Sequence, residues 1–231
     1  MQTSLLKNPI STVDTAANVA KQKIFIIGLP RTGTTSISVA MLELGFKVAH
    51  TAFTKHTFEL ADVISDAPCF SDYQQLDTLF PGSKFIYLER ELSQWIPSMQ
   101  RLLVKMAPHL LTKTGHFSPV LKRALNISFG EDHQLRGSEK HLTECYLCHQ
   151  KQVHQYFEGS KNLLTINLSH ENSYIELCTF LSLDYKDGTK FPHLNKGAQV
   201  ANWKAYKHTN KVSSFSAGKE HRQFFDYINN D

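Results

Sequence analysis

Four short apolar runs, each followed by a segment of helical period, set the rhythm of the chain. They are Ile24–Ile27, Phe46–His50, Lys84–Arg90 and Leu163–Leu168. Their length and apolar character predict strands buried in a parallel sheet. Between them, Ile37, Ala40, Met41 and Leu44 keep helical spacing after Thr34, and Thr57–Ser65 also has a helix-like rhythm until Asp66-Ala67-Pro68 breaks it. Ser71 or Asp72 is expected to cap a helix running to Leu79 and Phe80, before a turn at Pro81-Gly82. A further helix follows Arg90 and carries Ser93, Trp95 and Ser98, with Trp95 packing it onto the sheet. Gly137–Phe157 predicts a helix capped by Ser138, and Ser173–Leu183 another. Pro108–Gly130 is less regular and reads as a lid or acceptor loop, while Ser213–Asp231 has modest helical character. Strands alternating with helices predict a three-layer α/β/α domain, with a mostly parallel sheet of about four or five strands and its site at their carboxyl ends.

The chain has 231 residues, of which 41% are apolar, enough for one α/β domain with a full core. That domain is expected over residues 23–231, behind a loose arm of residues 1–22 that lacks the apolar run of a signal peptide or membrane anchor. No segment has the ~20 apolar residues of a membrane span. The four cysteines do not form a disulfide framework, so a cytoplasmic setting is the default. A formal charge of +4, spread rather than massed, gives no sign of nucleic acid and suits a small anionic ligand equally well.

The densest chemistry lies in the stretch KIFIIGLPRTGTTS, Lys23–Ser36. Gly28 and Gly33 relieve a strand-to-helix turn, and Thr32, Thr34, Thr35 and Ser36 put hydroxyls around a helix N-terminus, where backbone N–H groups favour an anion. The spacing is close to the triphosphate loop G-x-x-x-x-G-K-[ST], but Thr34 stands at the lysine position. That argues against ATP or GTP, whose outer phosphates the lysine bridges, and Arg31 suits a shorter donor. A glycine turn without a ligand is the alternative. Arg90 and Ser98, eight residues apart, offer a second anion site if the turn folds back, unless Arg90 merely pairs with Glu89 or Glu91. His50 ends a strand where a substrate proton can be met, though any of the twelve histidines can be a surface residue bonded to its own loop. Cys145, Cys148 and His149 tempt a zinc reading, but they lie on one continuous helix without a second ligand pair, and no metal site is expected.

Taken together, Gly28–Ser36, Asp66–Pro68, Pro81–Ile86, Arg90 with Ser98, and Phe191–Lys196 resemble the sulfotransferases that use 3′-phosphoadenosine 5′-phosphosulfate, in their short bacterial-type branch. The resemblance implies that Arg31, Thr32, Gly33, Thr34, Thr35 and Ser36 hold the 5′-phosphosulfate, and that Arg90 and Ser98 hold the 3′-phosphate. Lys196 and Gly197 match the segment that closes over that phosphate, although Asn195 stands where relatives have arginine. Arg31 would face the oxygen bridging phosphorus and sulfur. The general base is Asp66, 24 residues before Arg90, by its place in the motif, with His50 as the second candidate. The implied product is adenosine 3′,5′-bisphosphate, no metal is required, and the acceptor is a hydroxyl or amine of a small molecule or glycan. A homo-oligomer is left open. Two other classes compete: a kinase-like or nucleotide-hydrolysing P-loop enzyme with a degenerate loop, and a binding module without turnover.

Overall fold

The computed structural model describes residues 22–110, 115–132, 137–186, 188–191 and 203–217. Its sheet contains β1 (Ile24–Ile26), β2 (Val48–Ala49), β3 (Val63–Ser65), β4 (Lys84–Glu89) and β5 (Leu163–Asn167). They lie in the order β2-β3-β1-β4-β5, and every paired neighbour is parallel. Ile24 is level with Val63 on one side and Lys84 on the other, so β3, β1 and β4 reach their carboxyl ends together. Successive side chains of β1 point to opposite faces, as the pleat requires. Phe25 and Ile27 pack with Phe85 and Tyr87 on one face, while Ile24 and Ile26 pack with Ile86 and Leu88 on the other.

Helices cover both faces. The Ile26 face is closed by α1 (Thr34–Glu43) and α7 (Ser173–Leu181) through Ile37, Met41 and Leu177. The Phe25 face is closed by α2 (Lys55–Leu60), α3 (Cys69–Leu79) and α6 (Glu139–Tyr156) through Phe58, Tyr73, Leu76 and Val153. Beside the sheet, α4 (Leu92–Leu110) and α5 (Pro119–Phe129) join α6 around the fully buried Trp95. The expected three-layer architecture is the one observed. The α6 boundary also agrees, with Ser138 Oγ accepting the His141 N–H at 3.2 Å.

Four expectations need correction. Thr57–Ser65 is not one helix: α2 ends at Leu60, and Val63–Ser65 pairs with β1 and β2 as β3. A three-residue run, Val-Ile-Ser, completely buried between two strands satisfies its backbone in the ladder, and periodicity alone cannot separate it from a helix end. Pro108–Gly130 is not simply a loop, because it contains α5, fixed to α3 by a two-pronged ion pair. Arg123 donates from Nη1 and Nη2 to the Asp72 carboxylate at 2.9 and 2.7 Å. That carboxylate does not cap α3, which begins at Cys69; Asp72 lies inside it at a kink, φ −115° and ψ 18°. Finally, of the helical character expected over Ser213–Asp231, residues 213–217 are turn and coil, and the remainder lies outside the described residues. This segment follows one that extends the sheet beyond β2, where Val48 N–H donates to Asn210 O at 3.0 Å and Val212 N–H to Val48 O at 2.9 Å.

Candidate active site

The turn after β1 presses against β4. A methyl at Gly28 would lie 2.6 Å from Leu88 Cβ, so only glycine permits the approach. Gly33 caps α1 at φ 118°, a left-handed conformation that favours glycine, and a methyl there would sit 2.7 Å from Leu168 Cδ1. No side chain caps α1, and its first turn carries no acidic residue, so its N–H groups and dipole remain suited to an anion. Thr32 is buried and donates to Leu29 O at 2.7 Å, which commits its hydroxyl to the turn. Thr34 Oγ1 donates to Asp66 Oδ2 at 3.4 Å, and Thr35 Oγ1 lies 2.9 Å from His50 Nε2. Ser36 is half-buried on the same first turn.

Arg31 occupies the left-handed region at φ 74°, a conformation that costs a non-glycine residue of order 1 kcal/mol and clusters at functional sites. Its Nε donates to Ser98 Oγ on α4 at 2.9 Å, and its carbonyl accepts from Arg90 Nη1 at 2.8 Å. The loop, the end of β4 and the helix bearing Ser98 therefore converge. Burial, and then the neighbouring Arg90 and Arg101, lower the proton affinity of Arg31, while burial and Arg101 do the same to Arg90. Guanidinium groups nevertheless stay charged in proteins. Like charges held this closely create a positive field that an anion relieves.

On the other side of α1, the adjacent ends of β2 and β3 bring His50 and Asp66 together, with Nδ1 to Oδ2 at 4.0 Å. Asp66 is itself left-handed, φ 57°, and its Oδ1 accepts from Ala67 N–H at 2.8 Å. Burial pushes the Asp66 carboxyl above its ordinary range, against the opposing influence of His50, the Ala67 N–H, Thr34 and Arg31. Burial pulls His50 below its ordinary value, opposed by Asp66 and aided by Lys211. Arg31, Gly33, Thr34, Thr35, His50, Asp66 and Arg90 line a single cleft of about 180 Å³ with Pro30 and Leu102. Lys196 and Gly197 lie outside the described residues.

Two contacts at this site were not singled out from the sequence. The Trp203 ring packs on His50 with centroids 5.3 Å apart, and Lys211 Nζ sits 4.5 Å from the Trp203 ring centroid. Tyr146 of α6 bonds the backbone of Arg90. Trp203 lies beyond the Phe191–Lys196 motif, and nothing in a linear sequence pairs position 203 with position 50. Of the former zinc candidates, His149 Nε2 donates to Phe70 O at 2.7 Å and Cys145 Sγ lies 3.4 Å from His141 Nε2. No group of three metal-ligating side chains is gathered among the described residues.

A parallel sheet whose first strand passes through a two-glycine turn into a helix without a side-chain cap, with Arg31 and Arg90 held together beside it, defines a P-loop-like α/β fold whose turn is suited to an anion. Within that class, the chain belongs to the sulfotransferase family: the sulfotransferase domain matches residues 23–57 and 51–200. A comparison with curated proteins finds no match. No helix among the described residues is long and apolar enough to cross a membrane.

Proposed function

We propose that this sulfotransferase, acting through one domain over residues 23–231, transfers the sulfuryl group of 3′-phosphoadenosine 5′-phosphosulfate to a hydroxyl or amine of a small-molecule or glycan acceptor. The observation that carries the reading is the joining of both anion anchors, through Arg31 Nε to Ser98 and Arg90 Nη1 to the Arg31 carbonyl, beside the half-buried pair of His50 and Asp66. The donor supplies a sulfuryl group on a nucleotide leaving group. Arg31 and the first N–H groups of α1 stabilise negative charge gathering on the phosphate side, the kind of preorganised electrostatics that is often the largest catalytic contribution. Arg90 and Ser98, with Lys196 and Gly197, hold the 3′-phosphate. A cleft of about 180 Å³ suits the sulfated end and the reacting group of the acceptor rather than a whole nucleotide, whose pocket is typically about 300 Å³ or more.

Asp66 takes the acceptor's proton. Burial strengthens it as a base, and the neighbouring His50 is kept in its neutral form, ready to share that proton. Thermal melts provide the first test. Adenosine 3′,5′-bisphosphate at about 100 times its Kd should stabilise the protein by ~2.7 kcal/mol. Stabilisation by ATP with Mg²⁺ and none by the bisphosphate would instead select the kinase-like reading. Transfer of labelled sulfate across an acceptor panel then tests turnover itself.

A further inference from the structure

The carboxyl end of β4 poses a problem of backbone satisfaction. Glu89 is the last residue paired with β5, level with Asn167, and the chain leaves the sheet at Arg90. At that point the N–H and C=O of Arg90 would have no ladder partner. One phenol serves both: the Arg90 N–H donates to Tyr146 Oη at 2.9 Å, and Tyr146 Oη donates to Arg90 O at 3.0 Å. Tyr146 is buried on α6, and its ring packs 4.9 Å from that of Trp95 on α4. The Trp95 indole N–H donates in turn to Pro30 O at 2.8 Å, immediately before Arg31. Arg90 Nη1 then closes the circuit on the Arg31 carbonyl.

We infer that Tyr146, supported by Trp95, is a positioning residue that sets both arginines of the cleft by clamping the backbone of Arg90 and of Pro30 from beneath. Packing alone does not require this arrangement. A phenylalanine would fill nearly the same space at position 146, yet leave two partly buried backbone groups without their partner. The chain carries its own control for this comparison. Tyr87, on the same strand β4, is completely buried and its hydroxyl has no hydrogen-bond partner among the described residues. Tyr146→Phe and Tyr87→Phe therefore delete the same oxygen with opposite consequences for hydrogen bonding.

This inference deepens the proposed donor site and rests on that reading for its binding test. Calorimetric titration with adenosine 3′,5′-bisphosphate is expected to give a Kd about tenfold weaker for Tyr146→Phe and unchanged for Tyr87→Phe. The donor KM should rise in the former while the acceptor KM stays constant, a split that general loosening of the fold would not produce. In parallel, hydrogen exchange resolved at the Arg90 amide reports the clamp without any ligand, and should be at least tenfold faster in Tyr146→Phe alone. A folded Tyr146→Phe protein with wild-type exchange at Arg90 overturns the inference, as does faster exchange there without weaker binding. If wild-type protein itself fails to bind the bisphosphate, the donor assignment falls, and inorganic sulfate titrated into the same variants judges the positioning role: equal affinity in all three overturns it.

Discussion

The two halves of the cleft are built differently. On the β1 and β4 side, the cationic groups are fixed by direct bonds of 2.8–2.9 Å from arginine nitrogens to Ser98 Oγ and the Arg31 carbonyl. On the β2 and β3 side, each titratable group has a short bond of its own, Asp66 Oδ1 to the Ala67 N–H at 2.8 Å and His50 Nε2 to Thr35 Oγ1 at 2.9 Å, but the two groups stand 4.0 Å from each other. On the function proposed above, the groups that present constant charge are joined to one another directly, whereas the pair that would exchange a proton is separated by a gap that a substrate atom can enter. Their burial also acts in opposite directions, weakening ionisation of Asp66 and protonation of His50 so that their proton affinities approach one another.

Substitutions on the two sides should separate chemistry from binding. Asp66→Asn is expected to have the largest effect, lowering kcat by roughly 10²–10⁴-fold with bisphosphate affinity unchanged in calorimetry. Unchanged turnover would remove Asp66 as the base and leave His50→Gln as the variant to assay. Arg31→Met should lower kcat/KM by roughly 10²–10³-fold, and Arg31→Lys should restore part of it in the same steady-state assay. The contrast dissolves if both Arg31 variants merely weaken acceptor binding.

Acid provides a subtler comparison, between the cleft and the packing behind it. His149 is buried and its pKa is lowered to about 4, so the unfolded chain binds that proton more readily than the folded one. Its contribution is present above the unfolded value of about 6.5 and is lost as pH falls toward 4, an upper bound on the order of 3 kcal/mol. Melting temperatures from pH 7 to pH 4 should decline in the wild type and decline less in His149→Gln, which keeps a donor for the Phe70 carbonyl. Parallel slopes would show that other groups govern acid stability. Over the same range, the acid limb of kcat should lie above the ~3.9 of a free aspartate, because burial raises Asp66. The smallest expected change is that of Trp203→Leu, which should shift that limb by less than about one pH unit and lower kcat by about tenfold or less. A comparable change in bisphosphate affinity would place Trp203 with the anion side instead.

The extent to which these halves are legible in the sequence follows from how local their determinants are. The strand, turn and helix around Gly28 and Gly33 lie in one continuous stretch, so residue type and spacing were enough to read them. Arg90 and Ser98 were legible for the same reason, being separated by a strand end and two helical turns. The strand β3 was hidden because Val63 and Ile64 continue the rhythm of α2 and become a strand, with Ser65, only through their neighbours β1 and β2. The helix α5 was obscured by the irregular composition around it, and its anchor joins Asp72 to Arg123, 51 positions apart. Likewise, Tyr146 showed itself as a helix residue, but its hold on Arg90 exists only after α6 packs beside β4.

The cover on β2 ties this geometry to the order in which a chain is made. Backbone bonds to the Asn210 carbonyl and from the Val212 N–H occupy Val48, while Trp203 of the same stretch, residues 203–217, reaches His50. A ribosome delivers the sheet before this stretch, so a nascent chain should complete the arginine-bearing wall first and leave the outer strand bare for a time. An exposed strand edge is a template for pairing with another chain. On that order of synthesis, one late segment would both cover the outer strand and bring the indole to His50.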